Sequence, residues 1–487
     1  MVQPAVDAGP RDAGPRPRAS GRRLERSPVV TVASARPATL VSRLERSGVS
    51  LAMAKGALWS MGGNAAGMAT SFFVQVLLAR SLAATNYGMY AYLVAWVNVA
   101  VLVGKLEFDT AAVRFVGAYD GQHRDGLLRG FLGYGFRMVG RMATVVGLFA
   151  GLAAWLLRRH LPAGVDAGEI WAAAAMVPLT ALMMFSGSVL QGFRRIPQSQ
   201  LPSLLLRPLL FGAGVLLIGP TLGHSIDVGG AVALNAVATA VALSVSLFLV
   251  ARAVPPSTGT AAPELETPVW TRAVRGFLVI ATAQLVLSQQ ADILVIGSLL
   301  GARDAGLYSV ASQLATLIGF AATAIVFVVL PVVSSLHAQG RRDELQRLVV
   351  RIVQGCAAVS IPITAGLFLA GHLVLGWYGP EFEDARLLMM ILSGAQLFHA
   401  TIGIISGFLL TMTGHEWEAS RVIVGTALLN LALVFALTPL LGAAGAALAT
   451  AIAGMVKLAL LWRYARRFVG IRVLPYMPAT AQAEGSA

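Results

Sequence analysis

Charged side chains are scarce in this sequence: they make up 12% of its 487 residues, whereas hydrophobic residues make up 56%. A water-soluble domain carries about 25% charged residues. One or two soluble cores built from a chain of this length also could not bury so much apolar surface. The composition therefore excludes a soluble enzyme, a disulfide-rich secreted scaffold and a disordered protein, and it is typical of a polytopic membrane protein.

Cysteine and catalytic motifs are scarce as well. The single cysteine, Cys356, allows no internal disulfide. The sequence shows no glycine-rich phosphate loop, no His/Cys metal cluster and no Ser-His-Asp arrangement with a nucleophile elbow. No link between apolar runs pairs two acids in a loop large enough for an active site. We therefore expect no ATP hydrolysis, no cofactor, no metal site and no enzyme activity.

Runs of about 20 apolar residues, the length that crosses a bilayer as a helix, recur from about residue 55 to the end of the chain. Short polar or turn-forming links separate these runs. The pattern predicts an all-α polytopic membrane protein with about twelve transmembrane helices. The predicted spans are 57–80, 87–105, 138–157, 170–190, 201–220, 230–251, 276–299, 307–333, 352–371, 386–411, 421–438 and 445–465.

The segments outside the spans predict the domain organisation. Residues 1–54 are rich in Pro, Arg, Ala and Gly without apolar periodicity, which indicates a disordered basic cytoplasmic tail. Two six-helix lobes follow, over residues 55–252 and 273–467. A cytoplasmic linker, 253–272, joins them, and a short cytoplasmic tail, 468–487, ends the chain.

The net charge of +14, from 37 Lys and Arg against 23 Asp and Glu, is a topology signal. If the N-terminus is cytoplasmic, about 28 basic residues lie on the cytoplasmic side and about five on the other side, as the positive-inside rule requires. The link before the tenth span is even acidic, with Glu381, Glu383 and Asp384. We therefore expect a multi-pass protein of the cytoplasmic (inner) membrane with both termini in the cytoplasm, and no nucleic-acid partner.

A sequence repeat relates the two predicted lobes. Residues 82–90 follow the first span and residues 300–308 follow the seventh, 218 positions later, with Leu, Ala, an Asn/Asp position, Gly and Tyr in register. A second, shorter similarity pairs residues 220–223 with residues 439–442. Six helices separate the copies, an even number, so both lobes enter the membrane in the same direction. This indicates a parallel repeat around a central site; chance similarity between Gly- and Leu-rich segments is the alternative.

Three stretches, 77–90, 108–116 and 289–308, resemble the polysaccharide (oligosaccharidyl-lipid) flippases. These belong to the same superfamily as the multidrug and toxic-compound extrusion transporters, which implies their two-lobe fold. The resemblance runs from about residue 54 to about residue 467, without a motif as specific as a metal or nucleotide signature. The basic tail departs from the short N-terminus usual in the family. The residues that match the family motifs are Arg80, Gly88, Tyr90, Asp109, Arg114, Gly306 and Tyr308.

The resemblance implies that an isoprenoid-pyrophosphate-linked oligosaccharide is moved across the cytoplasmic membrane by alternating access of the lobes. Such a flippase serves the synthesis of surface polysaccharide, either lipopolysaccharide O-antigen or exopolysaccharide. The implied partners are the lipid-linked oligosaccharide, membrane lipids and other polysaccharide assembly proteins. Two alternatives stay open: a cation-coupled multidrug antiporter of the same superfamily and a membrane enzyme of lipid-linked sugar transfer.

Basic residues inside spans are costly and mark candidate sites. Arg137 and Arg141 lie four apart at the entrance to the third span, Arg207 lies about six residues inside the fifth, and Lys457 lies in the twelfth. Pro208 predicts a kink at Arg207. Since guanidinium binds phosphate in bidentate fashion, these four bases are candidate pyrophosphate ligands. The alternative is that they snorkel to the interface.

Asp292 is the carboxylate that lies deep within a span, in the outer half of the seventh helix. It is the candidate for coupling transport to a proton or a sodium ion, or for releasing the substrate. The alternative is a structural role, either as the partner of an arginine on the outer side or as a helix cap. His399, in the tenth span, is interpreted as a hydrogen-bonded core residue rather than a titrating group.

Overall fold

The structure is a computed structural model that describes residues 51–157, 165–222, 226–413 and 415–470. Almost all of the two predicted tails lies outside the described residues. Where the chain is described it is helical, without a strand, and from Lys55 onward it forms one compact unit. The predicted all-α class is confirmed.

The described residues form a succession of sixteen α-helices, with short π-helical or 3-10 segments between some of them. The helices are α1 (Leu51–Lys105), α2 (Phe108–Gly121), α3 (Asp125–Leu156), α4 (Ala167–Gly192), α5 (Ile196–Gln200), α6 (Arg207–Leu222), α7 (Val228–Ala253), α8 (Pro256–Thr260), α9 (Thr267–Val286), α10 (Gln289–Leu299), α11 (Ala302–Ala338), α12 (Arg342–Tyr378), α13 (Arg386–Phe398), α14 (Ile404–Met412), α15 (Glu416–Leu441) and α16 (Ala443–Tyr464).

Nine segments of the described chain are long and apolar enough to cross a membrane. The first, Gly62–Lys105, has 44 residues, which at 1.5 Å per residue is enough for two crossings of a core about 30 Å thick. A break at Ala83 (φ 60°, ψ 171°) divides it where the sequence predicts the first link. Together with the α9–α10 pair and with α11, these segments make up the predicted twelve crossings.

The link predicted over 105–137 is wrong in its extent, because it contains α2 and the first turns of α3. α3 begins at Asp125 rather than at residue 138. Its early turns bury Leu127, Leu128 and Phe131 against the bundle. The arginines interspersed with these residues obscure the apolar periodicity, so the sequence pattern places the start of the helix too late.

The predicted seventh span, 276–299, is also not one helix. α9 ends at Val286, and α10 begins at Gln289 after Ser288, whose backbone is extended (φ −92°, ψ 157°). A run of polar residues, Ser288 to Gln290, stands at this break. Broken helices at membrane depth are tolerated where the freed backbone groups are buried in protein or line a cavity.

The predicted linker 253–272 is packed on the first lobe. Trp270 is fully buried, and its Nε1 donates to the hydroxyl of Tyr119 at 2.9 Å. The backbone N–H of Glu264 donates to the carbonyl of Gly126 at 2.9 Å. These contacts fasten the start of α9 to α2 and α3.

The two copies of the sequence repeat meet at one end of the bundle, which we call the motif end. A Cβ added to Gly88 would lie 1.8 Å from the carbonyl oxygen of Ala302, and one added to Gly306 would lie 3.0 Å from the Cα of Gly88. Only glycine allows backbones to approach so closely. Contact between equivalent positions of the two copies confirms a structural repeat and joins the lobes at this end.

Candidate substrate and ion sites

Arg207 is the centre of a polar cluster inside the first lobe. Its Nε and Nη2 donate to Oδ1 of Asn235 at 3.2 and 3.1 Å, and Asn235 Nδ2 donates to the hydroxyl of Tyr90 at 2.7 Å. The ring of Phe211 stacks on that of Tyr90, with centroids 6.0 Å apart. We call these four residues the arginine cluster. No described carboxylate forms an ion pair with Arg207.

An irregular turn positions Arg207. The segment Leu201–Leu206 is π-helical and leads directly into α6, which begins at Arg207. Prolines stand at both ends of this region, at Pro202 and Pro208, and each removes a backbone donor from the helical ladder. The kink predicted at Arg207 therefore takes the form of a widened turn, a feature frequent at functional sites.

Asp292 is the centre of the corresponding cluster in the second lobe. The side chain is 1% exposed, and Oδ2 accepts hydrogen bonds from Tyr308 at 2.5 Å and Thr450 at 2.8 Å. Thr450 also lies 3.5 Å from Oδ1 of Asn430. We call these four residues the aspartate cluster. Among the described residues, Asp292 Oδ1 has no donor in hydrogen-bonding geometry, and the predicted alternative of an arginine partner is not found.

The two clusters share one pair of equivalent residues in the repeat, their tyrosines. Each is built on the motif tyrosine, Tyr90 or Tyr308, and each takes a polar side chain from the sixth helix of its lobe, Asn235 or Thr450. The charge at the centre is positive in the first lobe and negative in the second. The two charges come from non-equivalent helices, since Arg207 lies in the fifth span and Asp292 in the seventh, which is the first span of the second lobe.

Lys457 and His399 line two adjoining cavities in the second lobe, of about 690 and 250 Å³. Asp292 lines the smaller one, whereas the larger is also lined by Met68 of α1. We call the larger one the second-lobe cavity. The described residues in its lining include no carboxylate. Lys457 therefore lies with Asp292 and His399, not in the arginine cluster.

Arg137 and Arg141 are exposed in the middle of α3, not at its entrance as predicted from the sequence, because α3 begins earlier. Their face of the helix continues into the exposed apolar side chains Val145, Leu148 and Phe149. Neither arginine lines the two cavities that hold Lys457. No described hydrogen bond or ion pair joins this pair to the arginine cluster.

The motif residue Asp109 belongs to a buried ion cluster at the turn between α1 and α2. Lys105 Nζ lies 2.9 and 2.8 Å from its two carboxylate oxygens, and it also pairs with Glu107. Burial raises the pKa of the Asp109 carboxyl, while the Lys105 ammonium opposes the shift. The turn has left-handed backbone at Leu106 (φ 49°) and Glu107 (φ 58°). The ion cluster stabilises this strained connection.

The other motif arginines lie outside these clusters. Arg80 is exposed. Arg114 is exposed too; its guanidinium stands 5.6 Å from the centroid of Phe115, and it borders a cleft of about 300 Å³ together with Arg272. The structure therefore does not place either arginine with Arg207 or Lys457.

Sequence reasoning missed Lys105 and Asn235. Lys105 and Asp109 lie only four residues apart, but they meet across the turn between α1 and α2 and not on one helix, so helical spacing does not predict their contact. Asn235 stands alone in an apolar run, where a polar side chain needs a partner. Its partners Tyr90 and Arg207 are distant in sequence, so the network itself has no local signal.

The comparisons with known proteins agree with this architecture. The family model described as "Polysaccharide biosynthesis protein" matches residues 53–337. A curated relative from Haloferax volcanii, "Probable low-salt glycan biosynthesis flippase Agl15", is 25% identical over 182 residues, which cover 37% of this chain and 38% of the relative. The match thus spans under half the length of the relative.

Two solved structures are similar in fold, each with a TM-score of 0.65. One is the lipid II flippase MurJ in an inward closed conformation, with 15% identity over 84% of this chain and 87% of that one. The other is an inward-facing multidrug resistance MATE family transporter of the MOP superfamily, with 12% identity over 82% and 94%. The fold is therefore the two-lobe transporter fold, and the family match over more than half of the chain shows that the protein belongs to the polysaccharide biosynthesis protein family.

Proposed function

We propose that this protein is a flippase that moves an isoprenoid-pyrophosphate-linked oligosaccharide across the cytoplasmic membrane for the synthesis of surface polysaccharide, and that it is not an enzyme. Family membership, the two-lobe fold and the flippase relative support this proposal. We further propose that both termini are cytoplasmic and that the motif end faces outward. The asymmetric distribution of Lys and Arg supports this orientation.

The observation that carries the proposal is the guanidinium of Arg207. It is held in place by Asn235, and no described carboxylate neutralises it. A charge at membrane depth is costly without a counter-ion, so an anionic headgroup is its natural partner. Because guanidinium stays charged when desolvated and matches phosphate geometry, a pyrophosphate fits this position.

The remaining bases extend this anion path. We propose that Arg137 and Arg141, exposed on α3, meet the headgroup at the inner leaflet and that Lys457 binds it from the second lobe. The lobes would then rock about the contact between Gly88 and Gly306, so that the headgroup leaves on the outer side while the lipid tail stays in the bilayer.

Asp292 is proposed as the site where a proton or a sodium ion is coupled to this cycle. A carboxylate held by two hydroxyl donors offers the oxygen ligands that a small cation needs, and Asp292 is buried and lines the smaller cavity. Replacement of Asp292 by Asn should abolish the response of transport to an imposed ion gradient. The matched control is Asp304→Asn, a carboxyl outside both clusters; an unchanged gradient response in Asp292→Asn would contradict the coupling role.

The flippase activity is testable in proteoliposomes with a fluorescent isoprenoid-pyrophosphate-linked oligosaccharide and a membrane-impermeant quencher. We expect Arg207→Gln to slow flipping at least about tenfold, because a charge-assisted hydrogen bond contributes about 1.5–3 kcal/mol. Arg303→Gln is the control, since Arg303 forms an exposed ion pair with Asp384. Normal flipping by Arg207→Gln would refute the site.

Two outcomes of the same assay would replace the proposal. Transport of a cationic dye against an ion gradient, without movement of the lipid-linked sugar, would indicate a multidrug antiporter. A product of altered mass would indicate an enzyme of lipid-linked sugar transfer.

A further inference from the structure

The second-lobe cavity has the size and lining of a carbohydrate subsite. Its volume of about 690 Å³ lies within the range of small-molecule pockets. The polar side chains in its wall include Gln396, His399 and Thr316, and the ring of Phe320 stands among them. Amide and imidazole groups bind sugar hydroxyls, and an aromatic ring packs against the apolar face of a sugar ring.

Two glycines allow the polar side chains of this cavity to take their positions. A Cβ on Gly319 would lie 2.2 Å from Nε2 of Gln396, and a Cβ on Gly403 would lie 2.6 Å from Nδ1 of His399. His399 also opens a π-helical turn, His399–Gly403, in the middle of the tenth span. The two glycines thus leave space for the side chains of Gln396 and His399 in the cavity wall. A larger residue at Gly319 or Gly403 would force these side chains to move.

Lys457 places a basic side chain in the lining of this cavity. It lies on α16 seven residues before the helix ends at Tyr464, about 10 Å along the axis at 1.5 Å per residue. Its side chain lines both cavities; Asp292 lines the smaller one, and the described side chains that line the larger one include no carboxylate. None of the described ion pairs includes Lys457. An ammonium in this position favours a ligand that brings its own negative charge.

We propose that the second-lobe cavity binds a sugar residue that carries an acidic group, and that this protein therefore selects acidic oligosaccharide headgroups. This inference rests on the proposed flippase function and deepens it. Within the headgroup, Arg207 in the first lobe binds the pyrophosphate, whereas Lys457 binds not the pyrophosphate but a carboxylate or a phosphate on the sugar. Gln396 and His399 bind the hydroxyls of that sugar. The substrate then contacts both lobes.

The test compares three lipid-linked disaccharides in the proteoliposome assay, ending in glucose, in glucuronate or in glucose 6-phosphate. We expect the wild-type protein to flip at least one of the acidic forms about tenfold faster than the glucose form, the effect of one charge-assisted hydrogen bond. The acidic form that is favoured identifies the carboxylate or the phosphate as the natural group. Equal rates for all three would overturn the proposal.

The variants separate this subsite from the pyrophosphate site. Lys457→Gln should lower the ratio of acidic to neutral rates about tenfold, and Lys457→Arg should retain most of it. Arg463→Gln, a basic residue near the end of the same helix and outside the cavity lining, is the matched control. If Lys457→Gln slows all three substrates equally, Lys457 serves the pyrophosphate and the proposal fails.

A binding measurement keeps the inference independent of transport. The purified protein in detergent is heated with free glucuronate- or phosphate-bearing disaccharide, or with the glucose disaccharide, and the melting temperature is recorded. We expect a rise with an acidic sugar that Lys457→Gln removes and Arg463→Gln preserves. This result without any flipping would refute the proposed function but not the subsite; no rise with either acidic sugar would refute the subsite.

Discussion

The two lobes share one scaffold and differ in the charge that it holds. Tyr90 and Tyr308 occupy the same place in the repeat, yet the first ends a network that holds Arg207 and the second donates directly to Asp292. The repeat therefore places a tyrosine hydroxyl at the same position in each lobe, while charged residues from non-equivalent helices, Arg207 of α6 and Asp292 of α10, give the two clusters opposite signs. The second lobe also holds Lys457, so it carries charges of both signs, whereas the arginine cluster of the first lobe carries a positive charge alone.

The lobes also differ in the burial of the ion pairs at the turn after their second helix. In the first lobe Lys105, Glu107 and Asp109 form a buried ion cluster, whereas in the second lobe Arg341 and Glu344 form an exposed pair. Buried charges depend on their partners far more than exposed ones do. The first lobe therefore carries the more vulnerable connection.

The largest expected effect comes from breaking this ion cluster. Lys105→Met leaves two buried carboxylates without their cation, which should cost about 3–5 kcal/mol of stability. Arg341→Met should cost less than about 1 kcal/mol, because its ion pair is exposed. Thermal unfolding of the purified variants in detergent measures both. Equal losses of stability in the two variants would show that the buried ion cluster stabilises its turn no more than the exposed ion pair does.

The contact between the lobes gives the next prediction. Gly88→Ala places a Cβ against the carbonyl of Ala302, and Gly306→Ala places one 2.5 Å from the carbonyl of Ala84. Backbone atoms must move in both cases, at a cost of about 1–3 kcal/mol for such overpacking. Gly366→Ala, with nothing within 4 Å of its added Cβ, is the control. If Gly88→Ala has the same melting temperature as Gly366→Ala, the motif end is not closely packed in solution.

The motif tyrosines give the most direct test of the comparison. Tyr308→Phe removes a donor from a charged acceptor, which should cost about 1.5–3 kcal/mol, whereas Tyr90→Phe removes a neutral hydrogen bond worth about 0.5–1.5 kcal/mol. The melting temperature should fall more for Tyr308→Phe. A larger fall in melting temperature for Tyr90→Phe would show that the arginine cluster depends more on its tyrosine hydroxyl than the aspartate cluster does.

Much of the fold was predictable because it depends on local composition. The apolar runs that match a bilayer thickness, the link at Ala83 and the repeat that includes Gly88 and Gly306 all correspond to features of the structure. The start of α3 and the break before Gln289 were missed. Both depend on how arginines and polar residues are accommodated by neighbouring helices, which composition alone does not report.

The sequence predicted the single charged residues of the candidate site but not which of them lie together. Arg207, Lys457 and Asp292 were identified because a charge inside a span is costly. Their grouping was not, and neither was the exposed position of Arg137 and Arg141 in the middle of α3. A side chain in an apolar run looks the same in sequence whether it faces lipid, a cavity or another helix.

The sequence by itself determined that the chain crosses a membrane about twelve times in two related halves, because apolar length and repeat register are read along the chain. The tertiary structure decided which charges have partners. Asp292 meets Thr450 across 158 positions and Asn235 meets Tyr90 across 145. Such contacts depend on how helices pack side by side, so the division into an arginine cluster and an aspartate cluster exists only in the folded protein.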